Sequence, residues 1–152
     1  MSIISLLLGK KKTINHPKLG IIKSDRIRGN NLTKTYTWRG GIIIGNNTIK
    51  TQFYLKGKSS SPLSNQIDFV CQLVENWDKQ FLPKIEEEIV QEKINTIKAF
   101  SNWRNDFYLA AIYARNDRSS DFELTLEPKN ENITDTMGIE VKNGLITKVS
   151  VY

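Results

Sequence analysis

The sequence contains one cysteine and one histidine, and its longest uninterrupted apolar runs are only a few residues. The single cysteine, Cys71, cannot form an internal disulfide, so we expect a protein of a reducing cytoplasm. The apolar runs fall far short of the roughly 18 residues that span a bilayer, so we expect no transmembrane helix. The single histidine, His16, leaves any histidine-based metal site incomplete.

Acidic residues are almost absent from the first part of the chain. Residues 1–60 hold 12 Lys or Arg against one acid, Asp25, for a charge of +11, whereas residues 61–152 hold 10 against 15, for −5. One interpretation is a basic face for phosphates, for an anionic surface or for an acidic partner protein. The alternative is that the two halves meet in the fold and neutralise each other.

Motifs of enzymes are absent as well: the sequence has no phosphate loop, Cys-x-x-Cys, His-Glu-x-x-His, nucleophile elbow or calcium loop. The carboxylates of Glu86, Glu87 and Glu88 point in different directions on a helix and predict a solvated face. Asp117 and Asp121 fall in a predicted loop, where carboxylates without histidine leave a magnesium-dependent enzyme open. We nevertheless expect a protein that is not an enzyme and that holds no cofactor or metal.

The composition is that of an ordinary globular protein. With 152 residues, 39% of them apolar and 25% charged, the chain is long enough for one domain that spans 1–152. Ile3–Leu8 predicts a short N-terminal helix or arm within residues 1–12, ended by Gly9 and followed by solvated lysines. The apolar run is too short for a signal peptide, so we expect no secretion.

The next segment predicts strands at about residues 19–28 and 34–44. The second strand continues into a hairpin through Asn46-Asn47, because asparagine tolerates the positive φ of a two-residue turn. In this register a core face carries the pairs Ile44–Ile49, Ile42–Thr51, Gly40–Phe53 and Trp38–Leu55. The opposite face, which we expect to be basic and solvated, carries the pairs Arg39–Tyr54, Thr37–Lys56 and Ile43–Lys50.

The middle of the chain predicts helices. Ser61-Pro62 is typical of an N-cap followed by proline at the first helical position. Apolar residues then recur at spacings of three and four, which favours an amphipathic helix on a sheet: Leu63, Ile67, Val70, Val74, Trp77 and Phe81. Pro83 predicts a break or kink, and Ile85, Ile89, Ile94 and Ile97 predict a second helix.

The last third returns to strands at about 107–115 and 121–127 and ends in a hairpin. For that hairpin a three-residue loop, Lys142 to Gly144, is favoured over a two-residue Asn143-Gly144 turn, and it pairs Val141 with Leu145. The predicted fold class is α+β, with a mostly antiparallel sheet of two hairpin-containing strand groups and one or two central helices on one face. The expected core includes Trp38, Ile42, Ile44, Phe53, Ile67, Val70, Val74, Trp77, Ile139 and Val149.

The candidate binding residues come from the basic part of the chain. We expect a partner to contact the residues Arg26, Arg28, Arg39, Lys50, Tyr54 and Lys56. Nucleic acid is one possible partner, since many cations in residues 10–58 are available for phosphates and Tyr54 for stacking on a base. Against it, Trp38 and Phe53 face the predicted core, and no RNP-type, Gly-x-x-Gly or zinc signature is present. A protein partner is the favoured hypothesis.

The order of several short features supports a protein partner. They are an apolar start with Gly9-Lys10-Lys11, then His16-Pro17-Lys18-Leu19-Gly20, a Trp38-x-Gly40 strand, a long amphipathic helix and a Gly138-Ile139 hairpin. This order resembles small uncharacterised bacterial α+β proteins, some of which are similar to immunity proteins beside toxin genes. The resemblance implies neutralisation of a cognate toxin by direct binding. Because nuclease toxins are usually basic, this role requires either that the half with a charge of −5 binds the toxin or that the toxin is acidic.

Overall fold

A computed structural model describes residues 3–29 and 31–152; Met1 and Ser2 of the predicted arm lie outside the described residues. Eight strands form one sheet whose strand order follows the order of the chain. They are β1 (Lys10–His16), β2 (Gly20–Ile27), β3 (Tyr36–Ile42), β4 (Thr51–Gly57), β5 (Phe107–Ala114), β6 (Phe122–Pro128), β7 (Met137–Lys142) and β8 (Leu145–Val151). The predicted α+β class with a mostly antiparallel sheet is confirmed, but the two strand groups join into one larger sheet.

One pair of neighbouring strands differs from the rest. β4 and β5 run parallel, whereas the other neighbours are antiparallel. A parallel pair needs a crossover connection, and residues 58–106 provide it. This connection carries most of the helical residues over one face of the sheet, where α2 (Ser64–Asn76) contacts β4 and α3 (Leu82–Gln91) contacts β8. The rest of the connection holds two short 3₁₀ turns, Ile94–Thr96 and Lys98–Phe100, and α4 (Trp103–Asp106).

The main helix begins later than the sequence predicts. Its first residue is Ser64, and Ser61-Pro62 instead belongs to the turn after β4, so the predicted N-cap is wrong. The N–H of Lys58 donates to the carbonyl of Ser61 at 2.9 Å, and the N–H of Leu63 donates to that of Lys56 at 2.8 Å. These bonds hold Pro62 against Gly57, where it is buried.

Pro83 does not break the helix. A π-helical segment, Trp77–Phe81, joins α2 to α3 in one continuous helix of 28 residues. Within it the N–H of Leu82 donates to the carbonyl of Trp77, five residues back. Pro83 therefore falls in the first turn of the restarted α-helical pattern, where its missing N–H needs no partner.

The predicted core is confirmed for most of its members. Seven of the ten residues are buried: Trp38, Ile44, Phe53, Val70, Trp77, Ile139 and Val149. Ile42, Ile67 and Val74 are half-buried and pack against that core. Of the second predicted helix, Ile85 and Ile89 are buried in α3, Ile94 is buried in a 3₁₀ turn, and Ile97 is exposed. The sheet and the long helix therefore share one cluster of apolar side chains.

The predicted register of β3 and β4 is confirmed along the ladder, from Tyr36–Gly57 to Ile42–Thr51. The predicted turn at Asn46-Asn47 is wrong, because the ladder ends at Ile42 and residues 43–50 form a longer loop. The predicted pairs Ile43–Lys50 and Ile44–Ile49 therefore do not form. The turn lies one residue earlier, with Gly45 at φ +59° and the N–H of Asn47 donating to the carbonyl of Ile44. Ile44 is buried, whereas Ile49 is 43% exposed and lies outside the predicted core face.

The terminal hairpin uses the two-residue turn rather than the favoured three-residue loop. Asn143 and Gly144 both have positive φ, +50° and +79°, as a type I′ turn requires, and Val141 pairs with Ile146. A bulge then shifts the register, so that Ile139 pairs with Val149. The extra residue lets both Ile146 and Val149 reach the core, which strict alternation would prevent.

The N-terminal region contains a strand that the sequence pattern misses. α1 (Ile3–Leu8) is the expected short helix, but the lysines after it, which are expected to follow the helix as solvated residues, belong to β1. Lys10, Lys11 and Lys12 remain exposed, as expected. An edge strand tolerates such lysines because few of its side chains enter the core, and lysines discourage pairing with other chains.

A buried glutamine connects the long helix to both sides of the parallel strand pair. The side-chain oxygen of Gln66 accepts from the N–H of Lys56 at 2.8 Å, and its nitrogen donates to the carbonyls of Asn116 at 2.8 Å and Ser119 at 3.3 Å. Gln66 is fully buried. It satisfies backbone groups that lie just beyond the paired part of β4 and β5.

We expect the substitution Gln66→Leu to lower the free energy of unfolding by about 2–3 kcal/mol. Leucine has a similar size but leaves the N–H of Lys56 and two carbonyls without their partner. Urea unfolding of the purified protein measures the change. The matched control is Gln72→Leu at an exposed position of the same helix, which should change stability by less than about 0.5 kcal/mol. Equal effects of the two substitutions would contradict this role of Gln66.

Candidate functional site

The sheet has one face that the long helix does not cover, which we call the outer face. Residues that lie directly opposite each other on neighbouring strands point to the same side of a sheet. One such row crosses all eight strands, and we call it the central row: Thr13, Lys23, Arg39, Tyr54, Tyr113, Glu123, Glu140 and Lys148. The residues that precede Arg39, Tyr54 and Tyr113 in their strands are fully buried, so the row points away from the core.

Charge changes sign along the central row. Lys23 and Arg39 lie on the strands from the basic half of the sequence, and Glu123 and Glu140 lie on those from the acidic half. The halves are side by side in the sheet. Among the described residues, one direct ion pair, Lys18–Glu75, joins a cation of residues 1–60 to a carboxylate of residues 61–152. Neutralisation of one half by the other through ion pairs is therefore confined to this contact.

Two stacked tyrosines form the middle of the row. The rings of Tyr54 on β4 and Tyr113 on β5 lie 4.8 Å apart between centroids and are nearly parallel, at 8°. Tyr113 is 42% exposed and Tyr54 is half-buried. Burial raises the pKa of Tyr113, and the neighbouring Tyr54, Glu127 and Glu123 raise it further. The hydroxyl of Tyr113 therefore stays protonated at neutral pH and can donate a hydrogen bond.

The ion pairs of the outer face are exposed. Arg39 pairs with Asp25, Arg115 pairs with Glu123, and Lys142 lies 4.0 Å from Glu140. Exposed pairs of this kind contribute little stability, about 0–1 kcal/mol each, so a partner can replace one member at small cost.

Three of the six predicted binding residues come together on this face. Arg39 lies opposite Tyr54, and Lys56 follows two residues later on β4 and lies opposite Thr37. The other three lie elsewhere. Arg26 is exposed on β2 and donates to the carbonyl of Gly9 at 3.2 Å, whereas Arg28 and Lys50 are exposed beyond the ends of β2 and β4.

Sequence reasoning missed the other half of the row, above all Tyr113. The alternation Ile112-Tyr113-Ala114 in a predicted strand indicates an outward tyrosine, but nothing local pairs it with Tyr54. That pairing depends on the parallel contact of β4 and β5, whose residues are almost sixty positions apart.

The side chains considered for catalysis make structural contacts. His16 closes the turn between β1 and β2, since its Nδ1 accepts from the N–H groups of Lys18 and Leu19, both at 3.2 Å. Glu86 pairs with Arg104, and Lys84 pairs with Glu87 at 2.9 Å.

Asp117 and Asp121 are also engaged. Asp117 accepts from the hydroxyl of Thr35 at 3.0 Å, which lowers its pKa. Asp121 accepts from the N–H of Asn143 at 2.9 Å, and this bond is the main cause of its lowered pKa. Within residues 3–29 and 31–152, no group of three or more His, Cys, Asp or Glu is placed to hold a metal ion.

Two neighbouring cavities lie between the loop 43–50, the π-helical segment and the start of β5. Their volumes are about 280 and 290 Å³, and they share part of their lining. The lining of the first cavity is largely polar and includes three amides, one carboxylate and two cations: Asn46, Asn47, Asn105, Asp78, Arg104 and Lys129. Trp77 and Trp103 contribute to it but are 5% exposed, which leaves little aromatic surface for stacking.

Comparison of the chain with protein-family models, with curated protein sequences and with solved structures found no match. Among the described residues, no helix is long and apolar enough to cross a membrane.

We expect the thiol of Cys71 to react slowly with iodoacetamide at pH 8. Cys71 is half-buried in α2, and burial raises its pKa, so less thiolate forms than in a free thiol. As the only cysteine, it makes the mass increase of the intact protein a direct measure of its reaction. In urea the rate should rise about tenfold or more, to that of N-acetylcysteine. A folded protein that reacts as fast as the unfolded one would contradict this assignment.

Proposed function

We propose that this chain is a non-enzymatic binding protein whose outer face covers a complementary surface of a protein partner. The observation that carries the proposal is the row Lys23, Arg39, Tyr54, Tyr113 and Glu123, in which stacked tyrosines lie between cations and carboxylates. Tyrosine and arginine are the residues most enriched among the energetic anchors of protein interfaces. Charges of both signs on either side fix the orientation of a partner.

The size of the outer face fits this role. Strands about 4.8 Å apart and about seven residues long make a face of roughly 34 by 23 Å. Its area of roughly 800 Å² equals what each partner contributes to a standard interface.

The kind of partner follows from the charges and from the resemblance described above. We infer an immunity protein that neutralises a bacterial toxin in the cytoplasm by direct binding. Lys23 and Lys56 have no ion-pair partner among the described residues, so the partner should present carboxylates to β2, β3 and β4. A toxin domain with an acidic patch meets this requirement. The proposal contains no catalytic step, because the candidate catalytic side chains are engaged in structural contacts.

Nucleic acid is the second candidate, and a specific observation favours it. Ten of the twelve cations in residues 1–60 make no ion pair with a described residue: Lys10, Lys11, Lys12, Lys23, Arg26, Arg28, Lys34, Lys50, Lys56 and Lys58. Two features weigh against it. Tyr54 and Tyr113 stack on each other, so the ring faces that contact each other are not available to a nucleic-acid base. The carboxylates of β6 and β7 would also repel phosphates on the same face.

We expect co-expression with the products of adjacent genes to give a stable 1:1 complex in native mass spectrometry. The double substitution Arg39→Ala/Tyr54→Ala should weaken this complex at least 100-fold, because two anchors at the centre of the interface are removed. The matched control is Arg118→Ala in the loop between β5 and β6, whose side chain is 92% exposed and should not affect binding.

Salt dependence separates the two partner classes. A protein complex should weaken only moderately between 50 and 200 mM salt, whereas nucleic acid should co-purify, absorb at 260 nm and dissociate steeply as counterions are released. The proposal fails if no adjacent gene product binds while RNA or DNA binds with submicromolar affinity at physiological salt.

A further inference from the structure

The N-terminal helix exposes more than half of the surface of each of its large apolar residues. The exposed fractions in α1 are 76% for Ile3, 58% for Ile4, 66% for Leu6, 57% for Leu7 and 59% for Leu8, and none of its residues is buried. Five of its six residues are large and apolar, and at about 100° per residue they span about 200° of its circumference, with Ser5 on the remaining side. An exposed apolar face of this width is suited to a hydrophobic environment that covers it.

The C-terminal end of this helix, which we call its base, is attached to the sheet through Gly9. Gly9 ends it with φ +81°, and the N–H of Gly9 donates to the carbonyl of Ser5 at 3.1 Å. A Cβ at this position would lie 2.3 Å from the carbonyl oxygen of Ile27, so only glycine allows the close approach to the end of β2. The guanidinium of Arg26 donates to the carbonyl of Gly9. These contacts attach the C-terminal end of the helix to one corner of the sheet, at the end of β2.

Cations surround that corner. We call the set of Lys10, Lys11, Lys12, Arg26 and Arg28 the cationic collar. Lys10 and Lys11 pair with Ile27 and Arg26 across β1 and β2, so the collar lies at the base of α1. All five are exposed, and none makes an ion pair with a described residue. The one acid of residues 1–60, Asp25, pairs with Arg39 instead.

We propose that α1 and the cationic collar dock this protein on the surface of an anionic lipid bilayer. A helix of six residues is about 9 Å long, which matches the 5–10 Å depth of the boundary between headgroups and acyl chains. The apolar side chains enter this boundary, and the collar contacts the anionic headgroups around it. The two signals are complementary, since an apolar anchor of this size binds a membrane weakly by itself and a basic cluster supplies the rest of the binding free energy. A protein groove that covers the apolar face of α1 has no need of a cluster of cations beside it.

Sedimentation with vesicles tests the proposal on the full chain. Vesicles of phosphatidylcholine with 30% phosphatidylglycerol should pellet the protein, and pure phosphatidylcholine should bind it at least 100-fold more weakly. Leu6→Asp/Leu7→Asp should abolish sedimentation, whereas Leu145→Asp, at a leucine that is 70% exposed in β8, should not change it.

The collar is tested by neutralising its lysines. Each cation near an anionic surface strengthens binding about fivefold, so Lys10→Gln/Lys11→Gln/Lys12→Gln should weaken it about 100-fold. The matched control, Lys79→Gln/Lys93→Gln/Lys98→Gln, removes the same charge from exposed positions of the crossover connection and should weaken it far less.

Three results would overturn the proposal: equal binding to both kinds of vesicle, equal weakening by the two lysine triples, or no vesicle binding at all. A dimer in analytical ultracentrifugation that Leu6→Asp/Leu7→Asp dissociates, without vesicle binding, would assign α1 to contact with a second copy. Because Arg39 and Tyr54 lie outside α1 and the collar, the outcome is independent of the protein partner proposed above.

Discussion

The parallel contact between β4 and β5 is the constraint on which the rest of this structure depends. Its ladder has three residue pairs, from Gln52–Ala111 to Tyr54–Tyr113, and side chains extend it at both ends. At one end the hydroxyl of Thr51 donates to the carbonyl of Leu109 at 2.6 Å, and at the other Gln66 bridges the strands. The stacked tyrosines lie over the same contact. Since parallel strands cannot be joined by a tight turn, this pairing requires the crossover that places the long helix on one face and leaves the other open.

The long helix in turn explains why the loop 43–50 is wider than a tight hairpin turn. A Cβ on Gly45 would lie 3.3 Å from the ring of Trp77, so this loop packs closely against the π-helical segment. Ile44 leaves the strand ladder and becomes buried, while Ile43 and Ile49 remain exposed. The burial of Ile44 offsets the two strand pairs that a tight hairpin would have added.

Local patterns in the sequence predict the parts of the fold that depend on neighbouring residues. Alternation of apolar and polar residues predicts most of the core, because each side of a strand meets a different environment. The register of β3 and β4 is predicted correctly from a two-residue turn, although a longer loop joins the two strands instead. β1 is missed because Lys10–Lys12 shows no alternation. The bulge near Thr147 is missed because it depends on the burial of both Ile146 and Val149, which strict alternation along one strand does not predict. Of the candidate site, Arg39, Tyr54 and Lys56 are predictable from one hairpin, whereas Tyr113 joins them through a contact that no local pattern encodes.

The edges of the sheet also bear on how a partner can approach. A free edge strand can accept another strand, but both edges here carry features that oppose such pairing. β1 begins with three lysines and pairs with β2 through an irregular register, and β8 carries Lys148 and pairs with β7 through a bulge. Lysines and bulges at edges both disfavour the addition of a strand. With one face covered by the helix and both edges protected, the outer face is the broad surface of the sheet left open to a partner, and its centre is the tyrosine pair that spans β4 and β5.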